Sequence, residues 1–381
     1  MENESRGFPM SLLHADKERR LNYFQKCVVE HTRIQQVQEQ LISYINNPAG
    51  SSICLVLGPS GVGKTTLGAS IETYFVKNLL DELSEDLCRI PIVRLELVSS
   101  DSGVFNWKDY YRRALEYLQE PLINFKINLD QSKLTGMEKK KRKFNYHDAN
   151  STPELRRSLE NALKYRRPVA FLIDEAQHLL KVSSAKKLQD QLDAIKSLAN
   201  MTNVPHILIG TYELKEFVSL SGQLSRRTAH MHFQRYRADH EEEYHTFLSV
   251  LYVFQKHLPL RKEPQLIEYG ELLYERTLGC IGILKDWLTR CLGDAIDNDE
   301  NTITLEILNK HALSINALLT LFEEIEQGEK LFIENEQERM DLISRIGLNS
   351  QKKINNSSVK KVRGSVGKRN PVRDKVGTTN D

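Results

Sequence analysis

The chain has 381 residues, with 53 Lys and Arg against 51 Asp and Glu and a formal net charge of +2. The charge is segregated, because residues 349–381 hold nine Lys and Arg against two Asp while the preceding residues are acidic overall. This balance excludes a uniformly basic nucleic-acid binder. No apolar run approaches the roughly 18 residues of a membrane span, which argues against a membrane partner.

The N-terminal segment and the cysteines indicate the compartment. The first 20 residues are polar and mixed in charge, without the apolar segment of a secretory signal. The five cysteines are scattered and form no Cys-x-x-Cys pair, which argues against a zinc site or a disulfide scaffold. The sequence therefore predicts a cytoplasmic protein.

Short apolar runs alternate with amphipathic segments through the first 235 residues. The runs predict strands at 53–57, 91–97, 169–173, 206–210 and 230–233. The amphipathic segments predict helices at 32–44, 64–80, 106–118, 151–167 and around 188–199. Strands alternating with helices predict an α/β domain with a mainly parallel sheet flanked by helices.

The remaining segments predict appendages to this domain. Residues 1–30 form an N-terminal extension, residues 31–235 the α/β domain, and residues 130–150 a basic insertion within it. The pattern after 235 is helical: a small lid at 236–315 and a C-terminal segment at 316–348, with one continuous helix from about 317 to 345. Large apolar residues become rare after residue 348, so residues 349–381 are expected to be a disordered basic tail.

A glycine-rich turn between the first strand and its helix matches the phosphate-binding pattern G-x-x-x-x-G-K-[ST]. Its backbone amides and the helix N-terminus favour phosphate, which indicates ATP as the ligand. Lys64 is expected to contact the β- and γ-phosphates, and Thr65 to hold Mg²⁺. A chance match in an ordinary turn is the alternative. The predicted nucleotide-binding residues are Gly58, Pro59, Ser60, Gly61, Val62, Gly63, Lys64, Thr65 and Thr66.

Two acids follow the third strand. Asp174 is placed to hold Mg²⁺, and Glu175 to polarise the attacking water as a general base. The alternative is an acid pair that only starts the next helix.

Three further polar residues are candidates for contact with the nucleotide. Thr211, at the tip of the fourth strand, can reach the γ-phosphate or the water, or can simply cap the next turn. Arg226 can reach a neighbouring subunit's nucleotide and stabilise charge on its γ-phosphate, or form a surface salt bridge. Lys285, one turn after Gly282 in the lid, can touch the nucleotide or remain solvated.

Two basic clusters are candidates for contact with nucleic acid. Residues 139–143 are all Lys or Arg and run into Phe, Tyr and His, a combination suited to phosphate contact and stacking. Lys108, Arg112 and Arg113 lie on the helix after the second strand. A solvated loop and an exposed helix face are the respective alternatives.

The motifs at 58–65, 172–176, 209–211, 224–227 and 279–282 occur in this order. Together they resemble the AAA+ ATPases of the TniB/TnsC group, regulators of DNA transposition distantly related to phage MuB. Residues 31–34 also resemble that group's start, and the likeness spans roughly 25–315. The resemblance implies an AAA+ P-loop fold with a helical lid.

The same resemblance implies a function. Such proteins assemble with ATP as a homo-oligomeric ring or helical filament around double-stranded DNA, mark the target and recruit the transposase. A TniQ-like or RNA-guided targeting factor nucleates them. Their DNA-backbone residues lie on the helix and loop after the second strand, a position that matches Lys108 and Lys126 and includes Arg112. The group's common sensor arginine in the lid is either replaced here by Lys285 or absent.

Two other classes compete with this interpretation. A signalling NTPase of the STAND type would bind protein partners without DNA, but it requires no basic cluster and usually carries a repeat domain. A clamp-loader or initiator ATPase would need a winged-helix or collar domain, for which residues 316–345 are too short.

Overall fold

The computed structural model of the protein describes residues 6–99, 103–121, 123, 151–181, 185–215 and 228–348. The predicted basic insertion at 130–150 and the tail at 349–381 lie outside these residues, as do Lys126 and Arg226. Within them, no helix is both long and apolar enough to cross a membrane.

Five strands form one sheet in the order β2-β3-β4-β1-β5, and every neighbouring pair is parallel. This confirms the predicted α/β fold with a parallel sheet. The strands are β1 (Ile53–Leu57), β2 (Val93–Glu96), β3 (Phe171–Asp174), β4 (His206–Gly210) and β5 (Thr228–His232). Because parallel strands end at the same edge, the residues after β1, β3 and β4 are brought together.

Thirteen α-helices are present within the described residues. Those before β4 are α1 (Lys17–Lys26), α2 (Thr32–Asn46), α3 (Lys64–Asn78), α4 (Leu80–Glu85), α5 (Trp107–Tyr117), α6 (Thr152–Arg166) and α7 (Ala185–Thr202). Those after β5 are α8 (Glu241–His257), α9 (Gly270–Thr277), α10 (Ile281–Asp297), α11 (Leu305–His311), α12 (Ile315–Lys330) and α13 (Glu336–Arg345).

Both faces of the sheet are covered by helices. In the interior strand β1, Ile53 and Leu55 pack into a core with residues of α5, α6 and α7. Cys54 and Val56 face the opposite side and pack with residues of α2 and α3. This double burial explains why β1 is apolar at every position rather than at alternate ones.

A third core joins the N-terminal helix to the helices after β5. Phe24 of α1 is fully buried among α8 and α10. Its ring packs edge-on against that of Phe254, with the two ring centroids 5.9 Å apart. Trp287 of α10 is buried in the same core, and its indole N–H donates to the Leu308 carbonyl at 3.0 Å. Residues 17–26 thus pack as an integral part of this helical core.

The C-terminal segment differs from the prediction of one continuous helix over 317–345. The chain forms two helices, α12 ending at Lys330 and α13 beginning at Glu336. Residues through Phe332 belong to one compact unit and those from Ile333 to a second. Asn335 is the N-cap of α13, and its side chain accepts a hydrogen bond from the Gln337 amide. This cap explains why a second helix begins at Glu336. The domain boundaries placed at 30, 235 and 315 remain predictions.

Candidate functional site

The glycine-rich loop joins strand β1 to the N-terminus of α3. Gly61 and Gly63 adopt φ angles of 73° and 112°, a region that side chains with a Cβ rarely enter, so both positions favour glycine. The turn directs the first amides of α3 into a cleft, where helix-terminal N–H groups attract an anion. The loop is therefore shaped to cradle phosphate.

Lys64, the first residue of α3, lies under this loop. Its side chain is buried, and its ammonium donates to the carbonyls of Gly58 and Pro59 at 3.0 and 2.8 Å. Burial lowers the pKa of Lys64, and the nearby carboxylates of Glu175 and Asp174 oppose that shift. A buried cation held at the loop is positioned to meet phosphate oxygens.

Asp174 ends β3 directly beside the start of α3. It is 2% exposed, and its Oδ1 accepts a hydrogen bond from the Glu175 amide at 3.0 Å. Burial raises the pKa of this carboxyl, while hydrogen bonds from the Glu175 amide and the Thr65 hydroxyl oppose the rise. A carboxylate and a hydroxyl at this spot are the hard oxygen donors that suit Mg²⁺.

No group of three or more His, Cys, Asp and Glu able to hold a metal occurs among the described residues. Mg²⁺ is commonly bound through one or two carboxylates and completes its coordination with phosphate oxygens and water. The Asp174 carboxylate and the Thr65 hydroxyl suit a Mg²⁺ ion bound together with a nucleotide.

Glu175 sits where the chain reverses after β3, with a left-handed φ of 52°. The carboxamide of Gln177 bridges it to the tip of β4: Nε2 donates to Glu175 Oε2, and Oε1 accepts from the Thr211 amide at 3.3 Å. The sequence analysis missed Gln177. Its position two residues after the acid pair was the available signal, but only the chain reversal shows where the side chain points.

Thr211 follows β4 next to this bridge. Its hydroxyl oxygen is buried, and among the described residues no hydrogen-bond partner satisfies it. A buried hydroxyl without a partner is costly unless a ligand or water supplies one. Thr211 is thus ready to accept or donate a hydrogen bond within the cleft.

The N-terminus of α10 closes over the glycine-rich loop. The Ile283 amide donates to the Gly61 carbonyl at 3.2 Å. A Cβ on Gly282 would lie 2.5 Å from that same carbonyl oxygen, so the close approach depends on glycine. This contact ties the helices after β5 to the phosphate-binding loop.

Lys285 lies one turn into α10 and lines the cleft; its contact with the nucleotide remains a prediction. Its ammonium donates to the Gln25 carbonyl at 2.7 Å, and burial lowers its pKa. Lys285 therefore links α10 to the end of α1 rather than pointing freely at a phosphate.

The cleft has a volume of about 660 Å³ and opens between the ends of β1, β3 and β4 and helix α10. It brings together many of the predicted residues: Ser60, Gly61, Gly63, Lys64, Thr65, Thr66, Glu175, Thr211 and Lys285. It is also lined by residues that the sequence analysis did not select: Gln25, Gln177, Gly282, Asp286, Thr289 and Arg290.

The basic residues predicted to contact DNA lie on α5. Lys108 is exposed in the first turn, and Arg112 is partly buried one turn later. Arg113, also named in that cluster, pairs with Asp109 at 2.7 Å. Neither Lys108 nor Arg112 lines the cleft, so this surface is separate from the nucleotide site. Lys126 and Arg226 lie outside the described residues.

Comparisons with known proteins agree with this architecture. Residues 48–218 match the family model described as AAA domain. The Aeropyrum pernix ORC2 protein, solved in ADPNP and ADP complexes, is 14% identical, with a TM-score of 0.51 over 77% of this chain and 72% of its own. The Aeropyrum pernix ORC1 protein in complex with DNA is 16% identical, with a TM-score of 0.49 over 77% of this chain and 68% of its own.

No curated protein sequence matches the chain. At 14% identity the likeness to the ORC2 protein shows a shared fold and nothing about partners. The family match covers the strand, the glycine-rich loop and the acid pair that build the cleft. Residues 48–218 are therefore similar to an AAA domain, and their parallel sheet and glycine-rich loop have the architecture of a P-loop nucleotide-binding fold.

Proposed function

We propose that this chain is a Mg²⁺-dependent ATPase that assembles in its ATP form on double-stranded DNA and regulates transposition. One observation carries the ATPase proposal: Lys64, Glu175 and Thr211 line one cleft at the ends of adjacent parallel strands. Buried Asp174 is hydrogen-bonded to Thr65, which lines the same cleft. This arrangement supports the roles of phosphate cradle, metal ligand, base and polar sensor that we assign below.

Each residue then has a distinct task. The loop amides and Lys64 bind the β- and γ-phosphates of ATP. Asp174 and Thr65 hold Mg²⁺, which neutralises charge on the phosphate oxygens when it is bound. Glu175 accepts a proton from the attacking water. The unsatisfied Thr211 hydroxyl hydrogen-bonds either the γ-phosphate or that water.

Assembly completes the site. We place Arg226 against the nucleotide of a neighbouring subunit, where a guanidinium stabilises the charge that develops on the transferred phosphoryl group. Hydrolysis then depends on contact between subunits, which makes the ATP form the assembled form.

The DNA part of the proposal depends on α5 and on the resemblance to the TniB/TnsC group. Lys108 is an exposed cation outside the nucleotide cleft, with Arg112 one turn further along the helix. Contacts from Lys108, Arg112 and Lys126 to phosphate would be independent of sequence. The proposed further partners are the transposase and a TniQ-like or RNA-guided targeting factor.

Steady-state ATP turnover with and without duplex DNA tests this proposal. Wild-type protein is expected to hydrolyse ATP faster with DNA, and Glu175→Gln to bind ATP but not turn it over. Lys108→Ala is expected to weaken DNA binding and reduce the dependence of log K on log[salt] by about 0.9. Lys77→Ala is a control, because Lys77 is also an exposed lysine but lies on α3, which packs into a different core from α5.

The possible results separate the competing classes. ATP turnover without any DNA binding would favour the STAND-type switch. Normal turnover by Glu175→Gln would contradict the role of Glu175 as the base. Equal effects of Lys108→Ala and Lys77→Ala on DNA affinity would contradict the α5 surface.

A further inference from the structure

The carboxamide of Gln177 makes two hydrogen bonds of opposite polarity. Its Nε2 donates to Oε2 of Glu175, and its Oε1 accepts from the backbone amide of Thr211 at 3.3 Å. Gln177 belongs to the short 3₁₀ helix Ala176–Leu180 that follows β3, whereas Thr211 follows β4. One side chain therefore connects the ends of two neighbouring strands at the cleft.

The chemistry of the two partners restricts what can occupy this position. An ionised carboxylate such as Glu175 can only accept hydrogen bonds, and a backbone N–H such as that of Thr211 can only donate. The bridging group must donate on one side and accept on the other. A carboxamide has this combination, whereas a carboxylate would repel Glu175 and an ammonium could not accept from Thr211.

Gly210 leaves the space that the bridge occupies. A Cβ at this position would lie 2.4 Å from Gln177 Oε1 and 2.7 Å from Leu214 Cδ1. The backbone of Gly210 is that of an ordinary strand, so no left-handed conformation requires glycine here. Space for the carboxamide explains this glycine better than backbone freedom does.

We propose that Gln177 is a positioning residue, which acts through Glu175 and fixes the proposed base relative to the Thr211 tip. The inference rests on the proposed ATPase function, which it deepens. Because Glu175 and Thr211 approach the reacting phosphate and water from adjacent strands, a fixed distance between them holds the water in line. A base displaced by about 1 Å can lose a factor of about 100 in rate.

Two substitutions at residue 177 in the full chain test this role. Gln177→Ala removes both hydrogen bonds, and Gln177→Glu keeps the size and the acceptor but replaces the donor. Both are expected to lower kcat about 10- to 100-fold, with the Kd of a fluorescent ATP analogue changed less than about threefold. Gln191→Ala is the control, because Gln191 is a buried glutamine on α7 that does not line the cleft.

A double-mutant cycle with Gly210→Ala adds a second readout. Gly210→Ala is expected to lower kcat in the wild-type chain, where its methyl group displaces the carboxamide. In the Gln177→Ala background the additional loss should be clearly smaller than in wild type, because only the contact with Leu214 remains to be relieved. Independent, multiplicative losses would overturn the proposed bridge.

The outcomes distinguish this inference from the proposed function. An active wild-type chain with unchanged kcat in Gln177→Glu would overturn the positioning role and leave the ATPase intact. A parallel loss of kcat and ATP affinity would also overturn it, because Gln177 would then bind nucleotide directly. A wild-type chain without ATP turnover would overturn both.

Discussion

Replacement of Gly282 by alanine tests whether the contact between α10 and the glycine-rich loop is needed for nucleotide binding. The added Cβ would lie 2.5 Å from the Gly61 carbonyl oxygen, about 0.9 Å inside the 3.4 Å at which ordinary contact begins. The clashing atom is backbone, so no side chain can rotate away. If α10 moved away from the loop by that distance, the hydrogen bond between the Ile283 amide and the Gly61 carbonyl would lengthen from 3.2 Å to about 4 Å. This length is beyond hydrogen-bonding range.

The expected loss of ATP affinity follows from the steric clash and the broken hydrogen bond. Overpacking costs about 1–3 kcal/mol, and the lost hydrogen bond about 1 kcal/mol. If ATP binding requires the docked helix, a total of about 2–4 kcal/mol raises the Kd about 30- to 1,000-fold. Titration with a fluorescent ATP analogue measures the change.

Gly293→Ala is the matched control. Gly293 lies on the same helix, and a Cβ there would meet its nearest neighbours at an ordinary 3.9 Å. Alanine within a helix is about 0.5–1 kcal/mol more favourable than glycine, so this variant should be at least as stable as wild type and bind ATP equally well. If Gly282→Ala binds ATP within about threefold of the wild-type affinity, nucleotide binding does not need the contact between α10 and the glycine-rich loop.

Three further predictions concern the nucleotide site and the core. Lys64→Ala is expected to abolish ATP binding in the same titration, because it removes the cation at the loop. A mixture of Arg226→Ala and Lys64→Ala proteins should regain ATPase activity that neither has alone; no recovery from folded, oligomeric proteins would argue against an arginine acting between subunits. Burial lowers the pKa of His206 to about 4, so the unfolded chain takes up a proton below about pH 6.5 that the folded chain does not. The free energy of unfolding of the wild-type chain should therefore fall between pH 6.5 and 4, as measured by denaturant titration. In His206→Gln this fall should be smaller, by up to about 1.4 kcal/mol per pH unit.

The strands could be predicted because the sheet is covered on both faces. β1 is an unbroken apolar run and β4 is apolar between His206 and Gly210, and the predicted bounds of both match the structure. β2 is shorter than predicted, Val93–Glu96, and its polar residues alternate with buried ones. Strand order could not be read from the sequence, because apolar runs carry no information about which neighbours pair.

The site could be predicted only where a local pattern carries the chemistry. The glycine-rich loop and the acid pair are contiguous in sequence, so their spacing identifies them. Three cleft residues each contact a residue distant in the chain: Gln177 contacts Thr211, Gln25 contacts Lys285, and Gly282 contacts Gly61. Only the folded arrangement reveals these contacts.

A local sequence pattern marks the break between α12 and α13, although the apolar periodicity continues through it. Asn335 followed by Glu338 is the spacing of a capping box, which marks a helix start. In addition, Phe332 stacks on His232 with ring centroids 4.0 Å apart, a contact that the sequence does not disclose. The apolar spacing from 317 to 345 continues across the break, so periodicity alone predicted one helix.

Electron microscopy of the full chain on duplex DNA is the decisive test of ATP-dependent assembly. With a non-hydrolysable ATP analogue, we expect a continuous protein coat or regularly spaced rings along the duplex. With ADP, the DNA should be bare. Bare DNA under both conditions, from a preparation that hydrolyses ATP, would contradict ATP-dependent assembly on DNA.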